Sequence, residues 1–356
     1  MPVLKRKDTW YIVYDLPRLL NGKRRQKWVS CPGANKAQAE QQLRDALTAL
    51  HRGAYSEPSS QSVAQYLNSW LERRRPDLSP TTVEAYEKNI RNHILPALGT
   101  CKLSKVRPMA VQQMYDSLLK HLSPKTVRNI HGILSNAFTQ AVRLQIIPTN
   151  PLDAVTPPRV KDAEVETIPI ERIAVLLEAV QASKYRLPVL IILGTGMRRG
   201  EALGLKWTDF DSARKTLTVR RSIAQVTGRV FAKPPKTPDS VRVVAVTESL
   251  ANDLLETKKH ALSEWICANP DGSHMTPQGL SGTFQDLMAA AGVKATLRAL
   301  RHTQATMLIM AGVPVKVVSE RLGHSDVGTT LRIYTHVLPH MQDQAAEVLA
   351  RLLSSC

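Results

Sequence analysis

Val127, Ile130, Leu134, Phe138, Ala141 and Val142 repeat at helical spacing over one continuous apolar face, and this face restricts the fold more than any other feature of the chain. A stripe of that kind needs a long helix with other helices packed over it. Ser123-Pro124 supplies its start, a capping hydroxyl before a proline at the first helical position, and Ser79-Pro80 repeats the device upstream. Met109 to Leu119 reads as a helix between the two starts. Ser62, with Gln65 in capping-box position, opens another whose stripe is Val63, Tyr66, Leu67, Trp70 and Leu71. Residues 62–147 are therefore expected to form an all-helical domain of four or five helices. Their polar faces carry Arg73, Arg74, Arg75, Lys88, Arg91, Lys125 and Arg128.

Residues 1–57 read as a small basic β-rich module. Trp10 to Tyr14 alternates like a strand, Asn21-Gly22 is a turn signal, and Arg25 to Ser30 reads as the return strand. A helix capped by Asn35, with Gln38 three residues on, follows through Ala39, Leu43, Leu47 and Leu50 to Gly53. Lys23, Arg24, Arg25 and Lys27 cluster beside Trp28, and a two-stranded ribbon fits a DNA major groove. A solvated basic edge that blocks strand pairing is the competing use. Tyr55 to Gln61 reads as a linker, and so does the proline-rich stretch 148–165. A third region, 166–356, opens with helices at Pro169 to Val180 and Leu187 to Leu193. Strand-like runs follow at Leu217 to Gln225, Val230 to Lys233 and Val241 to Val246. The fold class expected is multidomain and mainly α, with a mixed α+β C-terminal domain holding a small β-sheet.

Charge indicates the partner. Lys and Arg number 48 against 30 Asp and Glu, a formal charge of +18, in a chain of 356 residues with 5% aromatics. Such a surplus predicts a polyanion and binding that weakens steeply with salt. A membrane surface is the rival polyanion, but no apolar run reaches 18 residues and no signal-peptide pattern is present, so a soluble cytoplasmic protein is expected. Cys31, Cys101, Cys267 and Cys356 form no CxxC pair, and the ten histidines form no HExxH motif or Cys/His cluster. Neither a metal nor a cofactor is called for.

From Thr296 to Pro339 three short helical segments are expected. Arg301 lies near the start of the first, His324 lies just past a glycine cap at Gly323, and Tyr334 sits in the third. A guanidinium is a planar fork of donors suited to a phosphate, a phenolate is a nucleophile able to form a covalent intermediate, and an imidazole holds a phosphate oxygen or moves a proton. Each alone has an ordinary structural use: an ion pair, a turn and a core residue. The joint pattern carries more. Leu300-Arg301-His302-Thr303, Leu322-Gly323-His324-Ser325 and Tyr334-Thr335-His336-Val337 resemble the C-terminal signature of the tyrosine recombinase, or phage integrase, family. Upstream, Gly194, Gly196 and Gly200 miss the spacing of a dinucleotide loop, and no P-loop Lys-Ser/Thr follows. Thr195-Gly196-Met197-Arg198-Arg199-Gly200-Glu201 instead resembles the family's first signature box.

That resemblance implies the following roles. Arg198 and Arg301 bind the scissile phosphate with His324, Tyr334 attacks it, and Lys236 in the turn before the third strand run protonates the departing 5′ oxygen, with Lys233 as runner-up. Glu201 pairs with a neighbouring arginine, for which Arg199 is the candidate, unless Arg199 faces solvent. The family usually has His where this chain has Arg298. Arginine cannot take up a proton, so Arg298 is expected to bind phosphate while the nucleophile's proton leaves through His324 or water. The resemblance further implies an arm-type DNA-binding module at 1–57, a core-binding domain at 62–147 and a catalytic domain at 166–356. The amphipathic tail, Met341 to Leu353, suits a helix folded back onto its own domain, and the resemblance implies instead that it docks on a neighbouring subunit. The implied protein is an integrase of a phage or mobile element acting on double-stranded attachment sites as a homo-tetramer, with a directionality factor or DNA-bending protein as an optional partner. A type IB topoisomerase, a chromosome-dimer-resolving recombinase and a catalytically silent DNA-binding regulator remain as alternatives.

Overall fold

The computed structural model describes residues 3–16, 25–51, 60–161, 166–234, 241–324 and 326–334, with 346, 350, 351, 353 and 354. The chain divides into two compact units, 1–161 and 162–356.

In the first unit β1 (Val3–Arg6), β2 (Thr9–Leu16) and β3 (Arg25–Cys31) form an antiparallel sheet in that order. β2 runs against β3 from the pair Trp10 and Cys31 to the pair Leu16 and Arg25. Ile12, Tyr14 and Leu16, two apart and so on one face, bury against Ala39 and Leu43 of α1 (Lys36–His51). Asn35 caps that helix: its Oδ1 accepts from the Gln38 amide, and Gln38 Oε1 accepts from the Asn35 amide, both at 2.9 Å. The Asn21-Gly22 turn with Lys23 and Arg24 lies outside the described residues, as does the side chain of Arg25.

The helical part of this unit runs α2 (Val63–Arg74), α3 (Pro80–Asn89), α4 (Leu95–Leu98), α5 (Pro108–Leu119) and α6 (Pro124–Arg143). Ser62 and Gln65 form the reciprocal capping box, and Ser79 and Ser123 cap through their hydroxyls. A π turn over Ile90–Ile94 joins α3 to α4. It precedes Pro96, which offers no amide hydrogen and whose ring crowds the carbonyl a turn earlier, so the helix widens there. Inside, Tyr66 donates to the Ala137 carbonyl at 2.8 Å and Trp70 Nε1 to Gln140 Oε1 at 2.9 Å, which satisfies the polar ends of two large buried rings. Ile147, Leu152 and Val155 join the same core, and Asn150 caps a 3-10 turn at Pro151–Ala154. The stretch expected as a linker therefore begins as packed structure, its prolines fixing a turn that inserts Leu152.

The second unit begins with α7 (Ile173–Val180), α8 (Arg186–Thr195) and α9 (Arg199–Leu203). β4 (Phe210–Asp211), β5 (Thr216–Val219), β6 (Ser222–Val226), β7 (Arg229–Lys233) and β8 (Arg242–Ala245) follow. They make two sheets where one was expected, a three-stranded β4-β5-β8 sheet and a β6-β7 hairpin. The run from Leu217 to Gln225 breaks at Arg220-Arg221, because both guanidiniums turn to the buried Asp209 carboxylate and Arg221 also reaches the Gly204 carbonyl. α10 (Glu248–Lys259) and α11 (Pro277–Ala290) fill a stretch for which the sequence suggested no element. They deliver Leu250, Leu254, Leu280, Phe284 and Met288 to the core. α12 (Leu297–Met310), α13 (Val315–Leu322) and α14 (Val327–Tyr334) complete the unit. Ala305, Ile309, Val318 and Leu322 pack α12 against α13.

Candidate active site

Thr296 caps α12 by accepting from the Ala299 amide at 3.2 Å, and Arg301 follows in the second turn, on a face that is almost wholly buried. Its Nη1 donates to the Gly196 carbonyl at 2.6 Å, and its Nη2 to the Leu322 carbonyl and to His324 Nε2, both at 2.8 Å. The close approach needs glycine at the end of α8. Gly196 has φ of +70°, and a Cβ there would stand 2.6 Å from Gln304 Oε1 and 2.7 Å from Leu322 Cδ2. One side chain thus ties the ends of α8 and α13 to the residue that follows them.

A guanidinium has only donors, so His324 Nε2 accepts and the ring proton sits on Nδ1, which donates to Thr330 Oγ1 at 2.8 Å. Burial pushes the His324 pKa down to about 4, and the charges of Arg301 and Arg198 add to the effect. His324 is therefore neutral at working pH with its accepting nitrogen engaged by Arg301. An imidazole held in this way is a poor proton acceptor.

Arg198 is the N-cap of α9, in extended conformation. Its amide and its Nη1 both bond Glu201, at 2.9 and 2.8 Å, and its Nη2 donates to the Gly323 carbonyl at 3.3 Å. The second partner of Glu201 is Arg242 of β8, whose Nη2 lies 2.7 Å from the carboxylate and whose Nε donates to the Arg321 carbonyl at 2.8 Å. Arg199, the candidate partner for Glu201, instead donates to the Ser281 hydroxyl of α11. Burial acts to raise the Glu201 pKa most strongly, but the hydrogen bond and charge of Arg242, with those of Arg198, hold it below the usual carboxylate range. Arg242 and Glu201 side chains are each 8% exposed, so breaking the pair strands a buried charge. Glu201→Gln is expected to cost roughly 3 kcal/mol of stability by denaturant unfolding at pH 7. Because the folded pKa is depressed, the wild-type contribution is present above about pH 4.5 and fades as acid protonates the carboxylate, so the gap between the two proteins should narrow on acidification.

Arg298 Nε donates to His302 Nε2 at 3.2 Å, which makes His302 a second neutral acceptor. Burial, then the charges of Arg298 and Arg301, push its pKa down to about 4. Unfolded imidazoles protonate near pH 6.5, whereas these two do not until about 4, so the unfolded state binds more protons between those values. Stability should fall as pH drops through that window, by on the order of 3 kcal/mol for the deeply buried His302. Urea unfolding from pH 7 to 4.5 measures it, and His302→Gln should reduce the slope to the share that His324 contributes.

Arg198, Arg298, Arg301, His302 and His324 line one cavity of about 540 Å³, which Arg199 and, on α11, Ser281 and Gln285 also border. Four of the residues that the sequence singled out, Arg198, Arg298, Arg301 and His324, are thus brought together. Tyr334 ends α14, and its side chain lies outside what is described. Lys236, Ser325 and all but scattered positions of the tail lie outside it too. Lys233 closes β7 opposite Ser222 and does not line the cavity. In the first unit Lys125 and Arg128 are exposed on α6, Lys27 is partly buried on β3, and Arg6 lies 5.0 Å above the exposed Trp28 ring. Arg242, His302 and Thr330 were not foreseen as parts of the site. For Arg242 the signal was present: it stands two residues before buried Val244, on the inward face of β8. Among the described residues no group of three or more metal-ligating side chains gathers, and no helix is long and apolar enough to cross a membrane.

A helical domain precedes an α+β domain whose cavity gathers guanidiniums from distant segments, an arrangement suited to binding phosphate groups. Comparison with known proteins agrees. The Phage integrase family matches residues 166–341, and the family's N-terminal SAM-like domain matches residues 62–119. A tyrosine recombinase XerC-like protein of Caldanaerobacter subterraneus subsp. tengcongensis is 31% identical, covering 89% of this chain and 90% of that one. The integrase of Staphylococcus phage L54a is 24% identical over 85% of this chain and 97% of its own. Among solved structures, the Tn1549 transposon integrase in complex with a circular intermediate DNA superposes with a TM-score of 0.69 at 24% identity, covering 77% of this chain and 95% of that one. A lambda integrase tetramer bound to a Holliday junction gives 0.62 at 19% identity, covering 91% and 96%. The chain belongs to the phage integrase family, and its activity is site-specific DNA recombination of the tyrosine recombinase type.

Proposed function

We propose that the cavity holds the scissile phosphate of a DNA strand and that Tyr334 is the nucleophile. The phenolic oxygen forms a bond to phosphorus as the bond to the 5′ oxygen breaks, giving a 3′-phosphotyrosine and a 5′ hydroxyl. Arg198, Arg298 and Arg301 neutralise the non-bridging oxygens as charge builds on them, with His324 buttressing Arg301. Lys236 donates the proton that the leaving oxygen needs, and water accepts the one that Tyr334 loses. Attack by the 5′ hydroxyl of a partner duplex reverses the step. One ester replaces another, so the exchange needs no external energy source.

The observation that carries this reading is the convergence of Arg198, Arg298, Arg301 and His324 on one cavity. Relatives from a phage and a transposon support an element-borne integrase acting on attachment sites, and the lambda assembly supports four protomers on two duplexes. In the first unit, Arg6 and Trp28 supply a basic, aromatic sheet face for arm-type DNA, with Lys27 on the opposite side of β3, and Lys125 and Arg128 supply a helix face for the core site. A nicked duplex that loses its 5′ fragment after cleavage tests the chemistry. It should leave an SDS-stable complex whose DNA-bearing peptide contains Tyr334; a complex mapped to another residue would remove Tyr334 from its role.

A further inference from the structure

One guanidinium on the cavity wall has no part in the mechanism above. Arg199 opens α9 directly after Arg198, yet it turns to the Ser281 hydroxyl on α11. Among the described residues no carboxylate lies within ion-pair distance of it, since Glu201 is held by Arg198 and Arg242. Its neighbours in the cavity are all engaged otherwise: Arg198 with Glu201, Arg298 with His302, and Arg301 with two carbonyls and His324. Both imidazoles are neutral, so four guanidiniums face a space of about 540 Å³ with Glu201 already shared. A phosphodiester brings one negative charge. The arrangement has cationic capacity beyond that single group, concentrated where Arg199 stands.

We infer that Arg199, Ser281 and Gln285 form a second anion subsite, which takes the phosphate next to the scissile one on the same DNA strand. Ser281 and Gln285 are four residues apart on α11 and so share a face, and both line the cavity with Arg199. The hydroxyl accepts from Arg199 and keeps its own hydrogen to donate, while the Gln285 amide adds a further donor. Arg199 and Arg198 are adjacent in the chain and border one cavity, which favours adjacent phosphates of one strand over phosphates across a groove. The subsite rests on the cavity being the seat of the scissile phosphate. Its work is to fix the register of the strand before cleavage, so it acts on binding more than on the chemical step.

The wild-type protein first selects a duplex from a randomised pool, and a nicked version of that duplex traps the adduct and maps the scissile phosphate. Single methylphosphonates, which keep the linkage but remove its charge, are then placed at each neighbouring phosphate of the cleaved strand. One of them should weaken wild-type binding roughly 10–100-fold. Arg199→Met should weaken binding of the unmodified duplex similarly and lose nothing more when that methylphosphonate is present. Arg199→Lys should recover part of the loss, and Ser281→Ala should show a smaller loss at the same position. Single-turnover cleavage at saturation should change less than about threefold, because the lost contact is made equally before and during cleavage. Arg199→Met has one hydrogen bond to lose and should melt with the wild type. If the Arg199→Met protein keeps the wild-type sensitivity at every neighbouring phosphate, the subsite is wrong although adducts still form. If the wild-type protein traps no adduct on a duplex that it binds, the reading of the cavity fails and the subsite falls with it.

Discussion

Tyr334→Phe protein will bind its target duplex as tightly as the wild type and will form no covalent adduct, a loss of at least about 10⁴-fold in single-turnover cleavage. The substitution removes one oxygen. No other change to a single atom deletes the nucleophile while leaving the arginines, and so the phosphate affinity, in place. Tyr334 stands at the end of α14, whose preceding turns include Thr330, the acceptor for His324, so the helix that carries the phenol is also tied to the phosphate-binding side of the site. Denaturing gels after incubation with the nicked duplex measure the adduct, and gel retardation measures binding. Residual adduct at a hundredth of the wild-type rate would mean that another side chain attacks. Loss of binding with loss of cleavage would mean that the phenol is a structural member of the site.

Much of the fold and of the site is legible in the sequence, and the exceptions have physical causes. Helix starts were legible because serine and asparagine caps and N1 prolines act locally: Ser62, Ser79, Ser123 and Asn35 all cap as their neighbours imply. Strand content was harder. Arg220 and Arg221 sit in a run of strand-formers, and only the buried Asp209, which both of them face, breaks it. α10 and α11 went unread although Thr247 and Thr276 cap them, because their apolar residues Leu250, Leu254, Leu280 and Phe284 are separated by small and charged ones. In the site, the cavity residues came from the family's signature, while the pairing of Glu201 did not. A carboxylate three residues from Arg198 and two from Arg199 can meet the first across a helical turn and not the second, so the local ground for Arg198 is present once the helix start is placed at Arg199. What the sequence does not show is the second partner, Arg242, from a strand far along the chain.

The second large effect concerns Arg301, and it divides into two parts that separate variants can resolve. On the proposed reading, Arg301→Ala should lower cleavage by about 10³-fold or more, since its guanidinium is the most deeply buried of the arginines that line the cavity. It should also lower the melting temperature, because the Gly196 and Leu322 carbonyls lose their donor, at a cost of roughly 1–3 kcal/mol for each group left buried without a partner. Arg301→Lys separates charge from shape. An ammonium restores the positive charge but cannot span Gly196 on one side and Leu322 with His324 on the other, as the planar fork does. The lysine protein is therefore expected to regain most DNA affinity, to remain about 10²-fold slow in cleavage, and to let the His324 pKa rise, because Nε2 is freed to take a proton. That last shift is the most discriminating readout: an imidazole titration by NMR moving up from about 4 in Arg301→Lys, but not in Arg199→Met, shows that the guanidinium adds to burial in holding His324 neutral. A lysine protein that cleaved within threefold of the wild type would show that charge alone suffices at this position, and the geometric role assigned to Arg301 would have to be abandoned.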